Sequence, residues 1–395
     1  MGKLKVNQDK ITNIDEVIKI CPFGAMENNN GKLEINAACK MCKMCVRKGN
    51  GAVEFIEEEV VKIDKSLWSG ISVYVDHVDG NIHPVTFELI GKARELAKKV
   101  NQKVYAVFVG YDINHKAKEL LHYGVDEVFI YDYKQLESFR IEPYTAACED
   151  FINKNKPAVL LVGATTIGRS LAPRIAARFR TGLTADCTIL DIKENTDLVQ
   201  IRPAFGGNIM AQIVTPNSRP QLATVRYKVM NAPERTEEET GKLNFAQIDE
   251  SKLSSKIDVL KIQKKIKEKN IEDADVIVVA GRGVKNEKDM AMIESLANLL
   301  GGEVAVTRPL VENGWADAKR QVGLSGRTVK PKLIITCGVS GAVQFTAGMN
   351  NSDYIFSIDM DEKAPIFKVA NYGIVGDLYD IIPQLIENIK ATKEA

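Results

Sequence analysis

The sequence predicts an α/β protein in which two doubly wound, mostly parallel sheets follow a small cysteine-rich domain. Three observations carry that prediction. Short apolar runs alternate with segments of helical spacing from about residue 66, the order expected of a parallel sheet covered on both faces. The alternation pauses at the charged stretch Ala232–Lys242 and then restarts. Four of the seven cysteines, Cys21, Cys39, Cys42 and Cys45, gather ahead of both regions. At 395 residues the chain has room for about two or three domains, and the boundaries fall at residues 1–62, 66–255 and 256–395.

The first domain runs to the acidic stretch Glu57–Glu59. Gly70–Val75 is a short apolar strand of the second. Pro84–Val100 places Phe87, Ile90, Ala93, Ala97 and Val100 on one face of a helix. Lys103–Val109, Glu127–Tyr131 and Ala158–Val162 are further buried strands, separated by helices at Ala117–His122, Tyr144–Asn155 and Ser170–Phe179. Ala232–Lys242, charged and proline-containing, reads as a linker or exposed loop. Beyond it come strands at Asp275–Ala280, Val304–Thr307, Lys332–Thr336 and Tyr354–Asp359, with a helix at Lys288–Leu300. Tyr379–Lys390 closes the chain as an amphipathic helix.

Composition narrows the function classes. Lysine and arginine number 53 against 52 acidic residues, so no basic surplus points to nucleic acid or an anionic membrane. The amino terminus lacks the apolar run of a secretory signal, and no apolar stretch reaches the roughly 18 residues of a membrane span. Gly2 is not followed by the Ser or Thr of a myristoylation site. Thiolate ligands beside unpaired cysteines fit a reducing compartment, and a cytoplasmic location is expected.

Cys21 precedes Pro22, and the other three amino-terminal cysteines form the run C-K-M-C-K-M-C. This is half of the bacterial ferredoxin pattern C-x2-C-x2-C-x3-C-P, in which the fourth cysteine ligates the partner cluster. Counting back from Cys21, the first three ligand positions of the missing half fall on Ile11, Ile14 and Val17. Counting on from Cys45, its fourth falls on Gly49. The segment resembles a two-cluster ferredoxin module reduced to one 4Fe–4S cluster, held by Cys21, Cys39, Cys42 and Cys45. A tetrahedral zinc site is the alternative for four thiolates. Zinc ribbons usually bring two separated C-x2-C pairs, however, and need no remote Cys-Pro. Cys148 and Cys187 read as small buried hydrophobes, and Cys337 as a packing residue at the end of a strand.

Two glycine turns follow strands in the last domain. Gly281-Arg282-Gly283 would let backbone amides approach a phosphate at a helix start, but it lacks the third glycine of the dinucleotide fingerprint. Gly338-Val339-Ser340-Gly341-Ala342 has alanine where a nucleophile elbow needs glycine. All four histidines, His77, His83, His115 and His122, precede this domain and read as surface or loop residues, so a Ser–His hydrolase is not expected. Ser340 fits better as a donor to a bound phosphate.

The stretch Gly281–Leu385 resembles the FAD domain of the electron-transfer flavoprotein alpha subunit. The matching strings are G-R-G-V (281–284), T-R-P-L-V-E-N-G-W (307–315), Q-V-G-L-S-G (321–326), G-V-S-G-A-V-Q (338–344), A-P-I-F (364–367) and Y-G-I-V-G-D-L (372–378). The middle domain agrees through G-A-T-T-I-G-R-S-L-A-P-R-I-A-A-R (163–178), T-G-L-T-A-D (181–186) and R-P-A-F-G-G-N (202–208). The resemblance spans roughly residues 66–390, and the cysteine-rich extension marks a subset of the family. It implies that Arg282 and the 338–344 turn, with Ser340, Gly341, Ala342, Val343 and Gln344, hold the pyrophosphate and ribityl chain of FAD. It places Thr307 and Arg308 at the isoalloxazine. It implies that Val322, Gly323, Leu324 and Ser325 line the ring, with Ser325 donating towards N5, and that Gln321 belongs to the cofactor-binding set. Asp359, Asp377 and Leu378 sit on the adenosine side. The chain departs from the family at Phe345, where a histidine usually contacts the flavin, at Leu324, often glutamine, and at Asp359 and Met360, commonly asparagine and lysine. Phe345 cannot donate a hydrogen bond, so one stabiliser of the reduced flavin is absent.

The resemblance also implies an electron carrier, not a bond-making enzyme. The middle domain would bind a beta subunit that carries a second nucleotide cofactor. FAD and the cluster would link NADH and soluble ferredoxin to a flavin dehydrogenase acting on lactate, another 2-hydroxy acid or an acyl-CoA, by electron bifurcation or its reverse. Two rivals stand beside this expectation: a simple flavoprotein whose cluster is structural, and a zinc-stabilised nucleotide-binding assembly module.

Overall fold

The computed structural model describes residues 2–36, 38–57, 63–204, 209–263 and 270–394. Glu58 and Glu59 of the acidic stretch and residues 205–208 of the R-P-A-F-G-G-N string lie outside these. The chain divides into two units, Met1–Ile63 and Asp64–Ala395.

In the first unit, β1 (Gly2–Val6), α1 (Ile14–Lys19), the hairpin β2 (Met26–Asn29) and β3 (Lys32–Ile35), α2 (Met44–Lys48) and β4 (Val53–Glu57) follow in order. Asn13 starts α1 by accepting the Asp15 N–H at 3.1 Å. β1 pairs antiparallel with β4, closing the unit end to end. The core gathers Val17, Met26, Leu33, Cys45, Ala52 and Val53, with Ile11, Ile14 and Ile18 packed against it.

The second unit opens with β5 (Ile71–Tyr74), the ribbon β6 (His77–Val78) and β7 (Asn81–Ile82), α3 (Pro84–Val100), β8 (Val104–Gly110), α4 (Asn114–Ala117) and β9 (Glu127–Asp132). It continues with α5 (Ile141–Asn155), β10 (Val159–Gly163), α6 (Thr166–Phe179) and β11 (Leu183–Cys187). An antiparallel insertion follows, β12 (Ile189–Ile192), β13 (Leu198–Ala204) and β14 (Ile209–Ile213), before β15 (Gln221–Val225) and β16 (Lys242–Phe245). Seven strands form one sheet in the order β11-β15-β10-β5-β8-β9-β16, and every adjacent pair is parallel. Both faces are covered, so β5 and β10 are apolar and buried along their whole length. Strand alternation divides the core: Val159 and Leu161 pack beneath α3, while Leu160 and Val162 face α5 and α6.

A second sheet holds β17 (Val276–Ala280), β18 (Glu303–Val306), β19 (Leu333–Cys337), β20 (Tyr354–Asp359) and β21 (Tyr372–Val375). Its order is β18-β17-β19-β20-β21, again entirely parallel. The covering helices are α7 (Met290–Leu299), the short α8 (Arg308–Glu312) and α9 (Val343–Thr346), and α10 (Leu378–Glu394). The parallel-sheet class read from the sequence is the one observed.

Ala232–Lys242 is the exposed loop of the two alternatives, and it returns the chain to the first sheet, where β16 pairs with β9. Two details differ from the sequence reading. The antiparallel insertion β12–β14 had no counterpart in the alternation pattern. His77 is not a surface residue: it is buried, its Nε2–H donates to the Val109 carbonyl at 2.8 Å, and burial lowers its pKa.

Candidate functional site

In the second sheet the chain runs from β17 outward to β18 on one side, then crosses to β19, β20 and β21 on the other. The crevice between the carboxyl ends of β17 and β19 is therefore a topological switch point, where open α/β sheets bind ligands. The strand-end turns there pack backbone to backbone. Gly283 N–H donates to the Gly338 carbonyl at 3.0 Å, and Gly281 N–H to the Cys337 carbonyl at 2.9 Å. Gly338 has φ +64°, and a Cβ on it would lie 2.7 Å from the Gly283 Cα. Only glycine fits both the left-handed backbone and that approach.

A cleft of about 740 Å³ opens at these turns. Of the residues expected at a flavin, it is lined by Arg282, Thr307, Arg308, Gln321, Val322, Gly323, Leu324, Ser325, Ser340, Gly341, Ala342, Gln344, Phe345 and Asp359. Asp359 ends β20, and the others stand on the segments following β17, β18 or β19. Gly283, Gly338 and Val339, from the two glycine turns read in the sequence, also line the cleft, as does Pro309, which was not singled out by itself. Three expected residues stand apart. Val343 faces solvent at the start of α9, and Leu378 is buried in the core with its Cδ2 against the Gly338 turn. Asp377 accepts the Tyr379 N–H at 3.0 Å at the start of α10 and pairs with Lys285 at 3.7 Å.

The cleft wall is chemically specific. Thr307 is only 8% exposed, and its Oγ1 is buried with no hydrogen-bond partner among the described residues. Such a hydroxyl costs about 1–3 kcal/mol unless a ligand supplies the missing partner. Gln321, 7% exposed, donates from Nε2 to Ser325 Oγ at 2.8 Å. Arg308 is exposed on α8, and its Nε is held by Glu312 at 2.8 Å. Val322 and Phe345 belong to the apolar cluster under the cleft floor. Cations, an unsatisfied hydroxyl, glycine-lined turns and an apolar floor together fit a dinucleotide bearing a planar ring.

The four amino-terminal cysteines line one small cavity with Leu4, Pro22, Phe23, Ala25, Met26 and Ile35. Cys45 is buried on α2; Cys21, Cys39 and Cys42 lie in loops and are half-buried. Met41 and Lys43 take left-handed conformations, φ 52° and 59°, within the loop from Cys39 to Cys45. Backbone amides already face sulfur: Ala25 N–H lies 3.3 Å from Cys21 Sγ and Met41 N–H 3.4 Å from Cys39 Sγ. Burial raises the Cys45 pKa, partly offset by the Val46 amide. Among the described residues, no group of three or more His, Cys, Asp or Glu is placed for a single metal ion. The thiols share a cavity wall without converging on one point.

A further cleft of about 850 Å³ lies at the switch point of the first sheet, between β5 and β10. It is lined by Asp76, Thr165, Arg169, Asp186, Arg226, Glu272 and Arg327 among others, and shares Leu324 and Ser325 with the first cleft. Its arginines face carboxylates: Arg169 pairs with Asp186 at 3.2 Å, Arg226 with Asp186 at 3.6 Å, and Arg327 with Glu272 at 3.2 Å. Asp76, buried, accepts a hydrogen bond from Thr165. Each of these three arginines is thus held by a carboxylate.

Comparison with known proteins supplies the remaining evidence. Residues 71–251 match the electron transfer flavoprotein domain, and residues 270–350 match the electron transfer flavoprotein FAD-binding domain. The chain is 60% identical over 388 residues to the lactate dehydrogenase (NAD(+),ferredoxin) subunit LctC of Acetobacterium woodii, covering 98% of this chain and 93% of that protein. It is 46% identical to an electron transfer flavoprotein subunit alpha of Thermoanaerobacterium thermosaccharolyticum, covering 83% of this chain and 99% of that one. It is also 38% identical to the acryloyl-CoA reductase electron transfer subunit beta of Anaerotignum propionicum, covering 84% and 98% respectively. Among the described residues no helix is long and apolar enough to cross a membrane.

Proposed function

The chain belongs to the electron transfer flavoprotein family as an alpha-type subunit, and from that premise we propose that it carries electrons through one FAD in the second-sheet cleft and one 4Fe–4S cluster on Cys21, Cys39, Cys42 and Cys45. It works in the cytoplasm, paired with a beta subunit through the 66–255 region and serving a flavin-dependent dehydrogenase. NADH and soluble ferredoxin stand at the other ends of the circuit, coupled by electron bifurcation or its reverse. The chain itself makes and breaks no bond of the organic substrate. A 2-hydroxy acid such as lactate is favoured over an acyl-CoA, because the relative named for lactate is 60% identical and the one named for acryloyl-CoA 38%.

The observation that carries the reading is the pairing, in one chain, of a switch-point cleft with a four-thiol cavity. Ile11, Ile14 and Val17, where a second cluster would need cysteines, pack into the apolar core of the first unit. That supports a single cluster.

When bound, FAD supplies electron storage in one- or two-electron steps, and the cluster supplies it one electron at a time. The residues would do the rest. Gly283 and Gly338 let backbone approach the pyrophosphate, and Arg282 and Ser340 offset its charge. The Thr307 hydroxyl finds its partner on the ligand. Arg308 keeps a positive charge beside the ring, because a guanidinium does not deprotonate. Val322, Leu324 and Phe345 exclude water, which strengthens that charge's effect. Asp359 marks the adenosine side. At the cysteines each thiol gives up its proton on ligating iron, against the burial that favours the protonated Cys45.

The test is a reconstituted complex of this chain, its beta subunit and the dehydrogenase, given a 2-hydroxy acid and NAD. NAD reduction should require reduced ferredoxin and consume it in proportion. Equal NAD reduction without ferredoxin would make the chain a simple carrier with a structural cluster.

A further inference from the structure

Arg308 and Glu312 open and close the single turn of α8, and their order is the unfavourable one. A cation at the first residue and a carboxylate at the last both oppose the helix dipole, and a base four residues ahead of its acid pairs less well than the reverse. Their side chains are 68% and 59% exposed, so water screens the bond and it contributes little to stability. The turn is held by other means. Pro309 fixes φ in its first turn, Leu310 is buried, and the Trp315 N–H donates to the Leu310 carbonyl at 3.0 Å. A pair that neither stabilises its helix nor anchors it breaks a local rule, which is the mark of a functional position.

Arg308 lines the flavin cleft, and Glu312 stands outside the lining. Glu312 Oε1 accepts from the guanidinium Nε at 2.8 Å, and among the described residues the two terminal nitrogens hold no other partner. The guanidinium is therefore held from outside the cleft by one nitrogen, with the others left for a ligand. We infer that Glu312 is a positioning residue for Arg308: it divides the guanidinium's attraction between its own carboxylate and the flavin, and so keeps the flavin's reduction potential below the value a free arginine would set. The inference rests on the reading that this cleft holds FAD. A flavin that gains one electron, from the beta subunit or from a chemical reductant, becomes an anion with no bond made and no proton required. Glu312 competes with that anion for the same cation.

The experiment uses the full-length protein, purified without oxygen together with its beta subunit, and follows the flavins by spectroelectrochemistry at low ionic strength. Arg308→Leu identifies the couple that belongs to this FAD. In the parent background Glu312→Gln should raise the ratio of one-electron-reduced to oxidised flavin about fivefold at a fixed potential. For a one-electron couple that is about 40 mV, at roughly 59 mV per tenfold. In the Arg308→Leu background the same substitution should shift the ratio by no more than about 1.5-fold. An unchanged ratio in the parent background overturns the inference, because the pair would then open when FAD binds. A lowered ratio also overturns it, since Glu312 would then be holding Arg308 towards the ring. Equal shifts in both backgrounds do the same, assigning to Glu312 a direct charge effect that bypasses Arg308. A parent protein that holds no flavin in this chain fails earlier, and fails the FAD reading itself.

Discussion

Gln321 reaches Ser325 Oγ with its amide N–H at 2.8 Å from a buried position on the cleft wall. A hydroxyl that accepts from an amide has its own hydrogen left to donate elsewhere, and for Ser325 the open direction is the cleft. Gln321 is thereby a positioning residue for that donor. Gln321→Glu replaces the donor by a carboxylate acceptor, which should turn the Ser325 hydrogen away from the ligand. The FAD potential should then fall by roughly the same amount as in Ser325→Ala, and the double variant should fall no further. Additive shifts, read by spectroelectrochemistry, would show that the two residues act separately. At this scale the shared strings named side chains that line the cleft, as at Thr307 and Ser325, and both glycine turns were visible in the sequence. What the sequence could not show is that Gly283 and Gly338 meet backbone to backbone. It also could not reveal that Arg308 is held by Glu312, since an exposed pair four residues apart on one turn is common on helices.

Among elements, the turn after β19 joins fold to site most directly. A methyl group on Gly338 would meet Gly283 Cα at 2.7 Å and Leu378 Cδ2 at 2.9 Å, on a backbone with φ +64°. The left-handed conformation alone costs a non-glycine residue roughly 1–2 kcal/mol. Gly338→Ala should lower urea stability by at least that and abolish FAD retention on gel filtration. A variant that kept its flavin would show that the two strand-end turns need not touch.

A second element-level link runs from α3 to the segment after β15. Glu88 is 7% exposed, and its carboxylate accepts the Lys228 N–H at 3.0 Å. The same segment reaches the second sheet's loops through Asn231, which accepts from Lys330 at 2.7 Å. Burial raises the Glu88 pKa from 4.5 to about 7, against the pull of the Met230 and Lys228 amides. A carboxyl raised on folding is protonated in the folded chain while the unfolded chain has lost its proton. Stability should therefore fall as pH rises between about 4.5 and 7, by an amount on the order of 3 kcal/mol for this group alone. Glu88→Gln should flatten that part of the stability–pH curve; an unchanged slope would remove Glu88 from the account.

Strands were the most legible elements. β9, β17 and β20 are near-continuous apolar runs, as a doubly covered sheet requires, and α3 shows its buried face by spacing alone. β16 escaped because it is a short edge strand with partial burial, placed after a charged loop that resembles a boundary. The β12–β14 insertion escaped because its strands alternate polar and apolar residues weakly and, among the described residues, form a sheet of their own.

Taken whole, the molecule joins two units of different chemistry. The second unit is recognisable from pattern and from its relatives, and its switch-point cleft follows from strand order. The first is marked by its cysteine spacing, and Ile11, Ile14 and Val17 pack in or against its aliphatic core. The central claim is that one chain carries one flavin and one four-iron cluster. Cofactor analysis of the protein purified without oxygen tests it most directly. The account predicts about one FAD, four irons and four sulfides per chain. Close to eight irons, stoichiometric zinc, or a chain that holds no flavin would contradict it.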